Sequence, residues 1–127
     1  MKVVHYESIP QQDVTMDGAK GCKIRHLISE ADGAPHFAMR QFEVAPGGHT
    51  PHHKHAYEHE VFVLEGSGVV LQGEREFAIG PGSVVFVPAN QVHQFRATGD
   101  RPLKFLCLIP HAIQGSNVCC VVACSCD

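Results

Sequence analysis

No segment of this 127-residue chain carries a block of like charges, and neither its lysines nor its arginines gather on a short stretch. With a net charge of -3, this leaves no electrostatic footprint for nucleic acid and favours a small neutral or anionic ligand. No apolar run approaches membrane-spanning length, and the start, MKVVHYESIPQQD, lacks the apolar core and small-residue cleavage site of a secretory signal. The expectation is a cytoplasmic protein with no membrane partner. Four of the six cysteines crowd the last nine residues, but Cys119, Cys120, Cys124 and Cys126 lack the Cys-x2-Cys pair of most structural zinc sites. In a reducing compartment they read as thiols on an added tail, 111–127, prone to oxidation. A convincing helical stripe is also missing throughout.

What is present is β-prone sequence punctuated by turns. Gly or Pro recurs roughly every eight to twelve residues with β-branched and aromatic residues between, which predicts an all-β sandwich or small barrel. The 44% apolar content is enough for one core, so residues 1–110 are expected to form a single domain. Strands are predicted at Val3 to Tyr6, Cys22 to Ser29, and His36 to Val44, the last with a sharp exit at Pro46-Gly47-Gly48. Further strands are predicted at Glu60 to Leu64, Val69 to Gln72, Arg75 to Ile79, Ser83 to Val87, Gln91 to Ala97 and Leu103 to Ile109. Glu60 to Leu64 and Ser83 to Val87 look apolar on both faces, more than a small domain covers alone, which predicts a homodimer.

The stretch Gly47 to Gly66, GGHTPHHKHAYEHEVFVLEG, holds five of the ten histidines. Side chains alternate along an extended segment, so His53 and His55 point the same way and make a natural chelate, which His59 joins if the chain turns between Ala56 and Glu58. His93, on a different strand just beyond Pro88, is a fourth candidate. Imidazole ligands suit one divalent first-row transition metal: Mn, Fe, Co, Ni, Cu or Zn. His49 and His52 fall outside the pattern and read as rim residues, while His5, His26, His36 and His111 read as ordinary surface or strand histidines. Glu58 and Glu60 flank His59 and either orient a ligand imidazole or simply face solvent.

These residues resemble the cupin family. The first segment follows Gly-x5-His-x-His-x3-Glu-x6-Gly as Gly47, His53, His55, His59 in the place of the usual Glu, and Gly66. The second follows Gly-x5-Pro-x-Gly-x2-His-x3-Asn as Gly82, Pro88, Asn90 in place of the second Gly, His93, and Ala97 where Asn is usual. Fifteen residues separate the motifs, as in compact single-domain cupins, and the resemblance runs from about Ala34 to Pro110. It implies a jelly-roll β-barrel, commonly dimeric, with its metal inside. His59 would make the shell all-imidazole, as in a subgroup of small prokaryotic cupins. Four neutral ligands leave the metal charge uncompensated and favour a reduced ion, with Mn or Fe preferred.

If Lys104 faces solvent, then Leu103, Phe105, Cys107 and Ile109 face inward, which puts Phe105 and Cys107 on the barrel wall. Arg40, if inward, is placed to bind an anionic substrate group; a surface salt bridge is the alternative. The leading functional expectation is an oxygenase or dioxygenase acting on a small organic molecule in the barrel, with Phe105 excluding water. A metal-dependent isomerase or lyase, and a non-catalytic metal-containing binding or sensor module, are the alternatives. The sequence offers no good candidate for a separate general base.

Overall fold

The computed structural model describes residues 1–111, so the cysteine-bearing tail lies outside the described residues. Nine strands follow in chain order: β1 (Gln12–Asp13), β2 (Lys20–Ile28), β3 (Phe37–His49), β4 (His59–Glu65), β5 (Gly68–Gln72), β6 (Arg75–Ile79), β7 (Val84–Val87), β8 (His93–Ala97) and β9 (Leu103–Pro110). All pairings are antiparallel, in the order β6-β5-β8-β3-β9-β4-β7, with β2 and then β1 added alongside β3. The sheet curls on itself as a jelly roll. Its two ends approach closely enough that Val70 of β5, Phe77 of β6 and Val85 of β7 line one cavity of about 180 Å³.

Two expectations at strand ends are corrected. Val3 to Tyr6 is not a strand: Val3 and Val4 are exposed, and a 3-10 turn spans Tyr6–Ser8. His5 caps that turn, its Nδ1 accepting from the Glu7 amide at 3.1 Å, and Arg25 donates to the carbonyls of Glu7 and Ile9. A side chain therefore satisfies backbone groups that a sheet neighbour would otherwise pair. The third strand, in turn, does not stop at Pro46-Gly47-Gly48 but continues to His49. A register shift between Lys20 and Cys22 on β2 absorbs the irregularity. A Cβ on Gly48 would meet the Lys20 carbonyl oxygen at 2.4 Å, so only glycine allows the two backbones to stay together there.

Strand parity sets the interior. Leu103, Phe105, Cys107 and Ile109 are all buried, and between them Lys104 turns outward to Glu43, at 3.9 Å. Phe42 and Phe95 stack on either side of Phe105, with ring centroids at 5.3 and 4.7 Å. Cross-strand register lays out one interior row as His26, Arg40, Cys107, Val61 and Val85. His59 stands one pleat further along β4 from Val61, opposite Val87 of β7. The outward face of β4 and β7 leaves Phe62, Leu64, Val84 and Phe86 exposed, in keeping with the two-sided apolar pattern of these strands. Among the described residues no helix is long and apolar enough to cross a membrane.

Candidate metal centre

The histidine-rich segment between β3 and β4 is irregular, yet β8 clamps it. The Thr50 amide donates to the Phe95 carbonyl at 2.9 Å, and the buried Thr50 hydroxyl accepts from the Phe95 amide at 2.9 Å. The Gln94 side-chain Nε2 donates a further hydrogen bond to the Thr50 carbonyl at 2.8 Å. Further along, His53 and His93 exchange backbone bonds at 3.2 and 2.9 Å, forming an isolated antiparallel bridge. The Asn90 amide then donates to the His55 carbonyl. Asn90 adopts φ 67, a left-handed conformation that asparagine tolerates better than most residues. This explains how Asn can stand where glycine is usual in the second motif.

These ties bring three imidazoles together. His55, His59 and His93 are buried, and their candidate ligand nitrogens all lie within 4.8 Å of one another. His59 comes from the first residue of β4 and His93 from the first of β8, while His55 comes from the clamped segment. The Nδ1 of His93 lies 2.9 Å from the Gln91 carbonyl, which can only accept, so the proton sits on Nδ1 and the lone pair on Nε2. A carbonyl that fixes the tautomer in this way is a usual companion of a metal-ligating histidine. Neutral nitrogen donors on three separate segments, buried and convergent, fit a divalent first-row transition ion.

His53 stands beside this triad. Its ring centroid is 4.2 Å from that of His55 and 6.2 Å from that of His93, but it is only half-buried and falls outside the group that converges within 4.8 Å. The triad has a further neighbour that the sequence reading passed over. Tyr57 stacks on His55 at 4.9 Å with an interplanar angle of 11°, and on His59 at 5.2 Å and 29°. The signal was available, since residues 55, 57 and 59 share parity in an extended chain.

The other candidate residues fall into two groups. Arg40 and Cys107 both point into the barrel, 1% and 2% exposed, and the Arg40 Nη2 donates to the Cys107 sulfur at 3.0 Å. Phe105 is a core wall residue between Phe42 and Phe95. Glu58 and Glu60 are exposed. Glu60 alternates away from His59, and partial burial, then a hydrogen bond and charge from Glu58, push its carboxyl up to about 7. These two exposed carboxylates engage each other. The His49 Nδ1 lies 3.2 Å from the Gln94 amide nitrogen and 3.2 Å from the Thr50 carbonyl, and His52 is exposed, which keeps both at the rim.

An antiparallel jelly roll whose inner wall converges three histidines defines a cupin with a candidate metal centre. The chain belongs to the cupin family: the Cupin domain family model matches residues 40–109. Among solved structures, the polyketide cyclase RemF from Streptomyces resistomycificus is 37% identical, with a TM-score of 0.84 over 93% of this chain and 85% of that one. A 1-methylthio-D-xylulose 5-phosphate methylsulfurylase from Rhodospirillum rubrum is 41% identical over 71 residues, covering 56% of this chain and 46% of the relative. An acireductone dioxygenase from Rhodopseudomonas palustris is 38% identical over 56 residues, covering 41% of this chain and 34% of the relative. The chain thus spans less than half the length of these two curated relatives.

Proposed function

We propose that this protein is a metal-dependent enzyme that polarises a carbonyl of a small organic molecule held in the barrel, a cyclase-, isomerase- or lyase-type reaction. The observation that carries this reading is the buried convergence of His55, His59 and His93, with the proton of His93 fixed on Nδ1 by the Gln91 carbonyl. We place His53 as the fourth ligand, because its ring already lies against that of His55. When bound, a divalent ion among neutral imidazoles supplies Lewis acidity at its full positive charge. The chain's own residues do the rest: Tyr57 holds two imidazoles in orientation, and the Phe42, Phe105 and Phe95 stack keeps water from the inner end. The extensive likeness to a polyketide cyclase favours carbonyl chemistry over oxygen insertion.

A dioxygen-dependent reaction is the second reading, favoured by the local match to acireductone dioxygenase. We also propose that the protein works as a homodimer covering Phe62, Leu64, Val84 and Phe86.

The test is elemental analysis of untagged protein beside its His59→Ala variant, followed by reaction with 1,3-dicarbonyl compounds. About one metal per chain, lost in the variant, and metal-dependent exchange of carbon-bound hydrogen with deuterated water are expected. Full metal content in the variant would remove the site. Oxygen consumption without exchange would transfer the assignment to the second reading, and neither reaction would leave a binding module.

A further inference from the structure

The curled sheet ends in two strands, β6 and β7, that come together without pairing, and a cavity of about 180 Å³ occupies the seam between them. Strand register sets its apolar walls. Phe77 of β6 pairs with Val70 of β5, which in turn pairs with the buried Phe95 of β8, while Val85 and Val87 of β7 pair with Val61 and His59 of β4. Directly paired residues share a face, so these four apolar side chains turn toward the interior from the two sides of the seam. The Arg75 guanidinium lies 5.0 Å from the centre of the Phe77 ring and rests against that wall.

One end of the cavity is polar. Gln72 stands directly opposite His93 in the register of β5 and β8, which sets their Cβ atoms roughly 5 Å apart on one face, and both side chains line the cavity. Gln91 completes this end: the Gln72 Nε2 donates to its side-chain oxygen at 3.2 Å, and the Gln91 Nε2 donates to the Val92 carbonyl at 3.0 Å. The two amides are thereby oriented, and the half-buried Gln72 keeps its oxygen to accept. None of the described residues that line the cavity carries a carboxylate, an ammonium or a guanidinium, so nothing there offsets the cost of burying a ligand charge.

An apolar cavity of about 150 Å³ holds a benzene molecule. The seam cavity, at about 180 Å³, therefore has room for one six-membered ring with a small substituent. We infer that it binds a neutral hydroxylated ring, a phenol or the enol of a cyclic ketone, with the ring between Val70, Phe77 and Val85 and the hydroxyl donating to the Gln72 oxygen. His93 belongs both to the cavity wall and to the histidine triad, so the hydroxyl end of the ligand faces the candidate metal centre. The inference rests on the carbonyl-polarising reading proposed above and adds the substrate class, a ring whose enol hydroxyl and ketone forms interconvert by moving one proton.

The experiment uses the full chain as purified, with its metal content measured, and two matched probes, 4-fluorophenol and 4-fluoroanisole, which differ in whether the oxygen can donate. Fluorine NMR titration of the wild-type protein should show the phenol bound at least about threefold more tightly than the ether, as for one neutral hydrogen bond. Gln72→Leu should abolish that preference with metal content and circular dichroism unchanged. Val85→Phe, which fills the seam from β7, should weaken both probes by at least about tenfold. Equal binding of the two probes by the wild-type protein, or binding of neither, would overturn the inference, as would a Gln72→Leu variant that keeps the preference or a folded Val85→Phe variant that binds both probes as before. Should Val85→Phe fail to fold, the wild-type comparison and Gln72→Leu decide it. Absence of metal from the wild-type protein would count against the proposed reaction, whereas the probe preference still reads out the seam cavity alone.

Discussion

At the scale of single residues, the four histidines differ in how firmly their surroundings commit them. His93 has its tautomer set by the Gln91 carbonyl and its backbone bridged to His53, whereas His53 is half-buried with its ring 6.2 Å from that of His93. Removing either side chain should therefore have graded consequences. His93→Ala is expected to leave below about a tenth of the metal content of untagged protein, while His53→Ala, which removes the proposed fourth ligand, should weaken metal affinity by at least about 10-fold. Competition with a chromogenic chelator measures both, and an unchanged affinity in His53→Ala would reduce the site to three imidazoles. Motif spacing singled out His55, His59 and His93 in the sequence, while their convergence depends on the tertiary bonds that tie the irregular segment to β8 and its preceding loop. The Gln91 carbonyl was not legible, since every residue carries a carbonyl and only the loop conformation aims this one at an imidazole.

At the scale of elements, period-two alternation carried most of the information. Leu103, Phe105, Cys107 and Ile109 were readable as inward-facing because one charged residue, Lys104, fixes the parity of the whole strand, and all four are buried. Where the sequence misled, the outcome depended on tertiary partners: β-branched Val3 and Val4 found none in the sheet, and Gly48 let β3 continue where turn chemistry predicted an end. Cys22 of β2 illustrates how such packing controls reactivity. Desolvation pushes its thiol up from 9.0 to about 11, and it donates to the His49 carbonyl at 3.0 Å. A thiol whose pKa is higher folded than unfolded binds its proton more tightly in the fold, so its stabilisation is complete below about pH 9 and is lost as pH rises toward 11. Chemical denaturation between these limits should show stability falling with pH, and Cys22→Ala should flatten that slope; an identical slope in the variant would disconnect Cys22 from the effect.

At the scale of the whole molecule, the candidate metal centre joins parts that the sheet alone holds loosely together. Its three imidazoles come from β4, from β8 and from the irregular segment between β3 and β4, and these strands are not adjacent in the order β6-β5-β8-β3-β9-β4-β7. An ion bound across them would cross-link the curled sheet and hold its clamped segment in place, and because the unfolded chain offers no preformed site, binding free energy would become folding free energy. At a free metal concentration one hundred times the dissociation constant this linkage amounts to about 2.7 kcal/mol, equivalent to a rise in Tm of about 10 °C for a domain of this size. Stripping the metal with a chelator should therefore lower Tm by that order, and re-addition of the ion should restore it. In His59→Ala the same treatment should leave Tm unmoved, because the variant begins without the cross-link. The amides of His53, Asn90 and His93 join the clamped segment to β8 and its preceding loop, so their hydrogen exchange should quicken most on stripping. The sheet's interior amides at Phe42 and Phe105 should change least. Equal acceleration throughout would mean that the ion stabilises the fold globally, and a Tm indifferent to the chelator in the wild-type protein would remove the metal from the stability of the barrel.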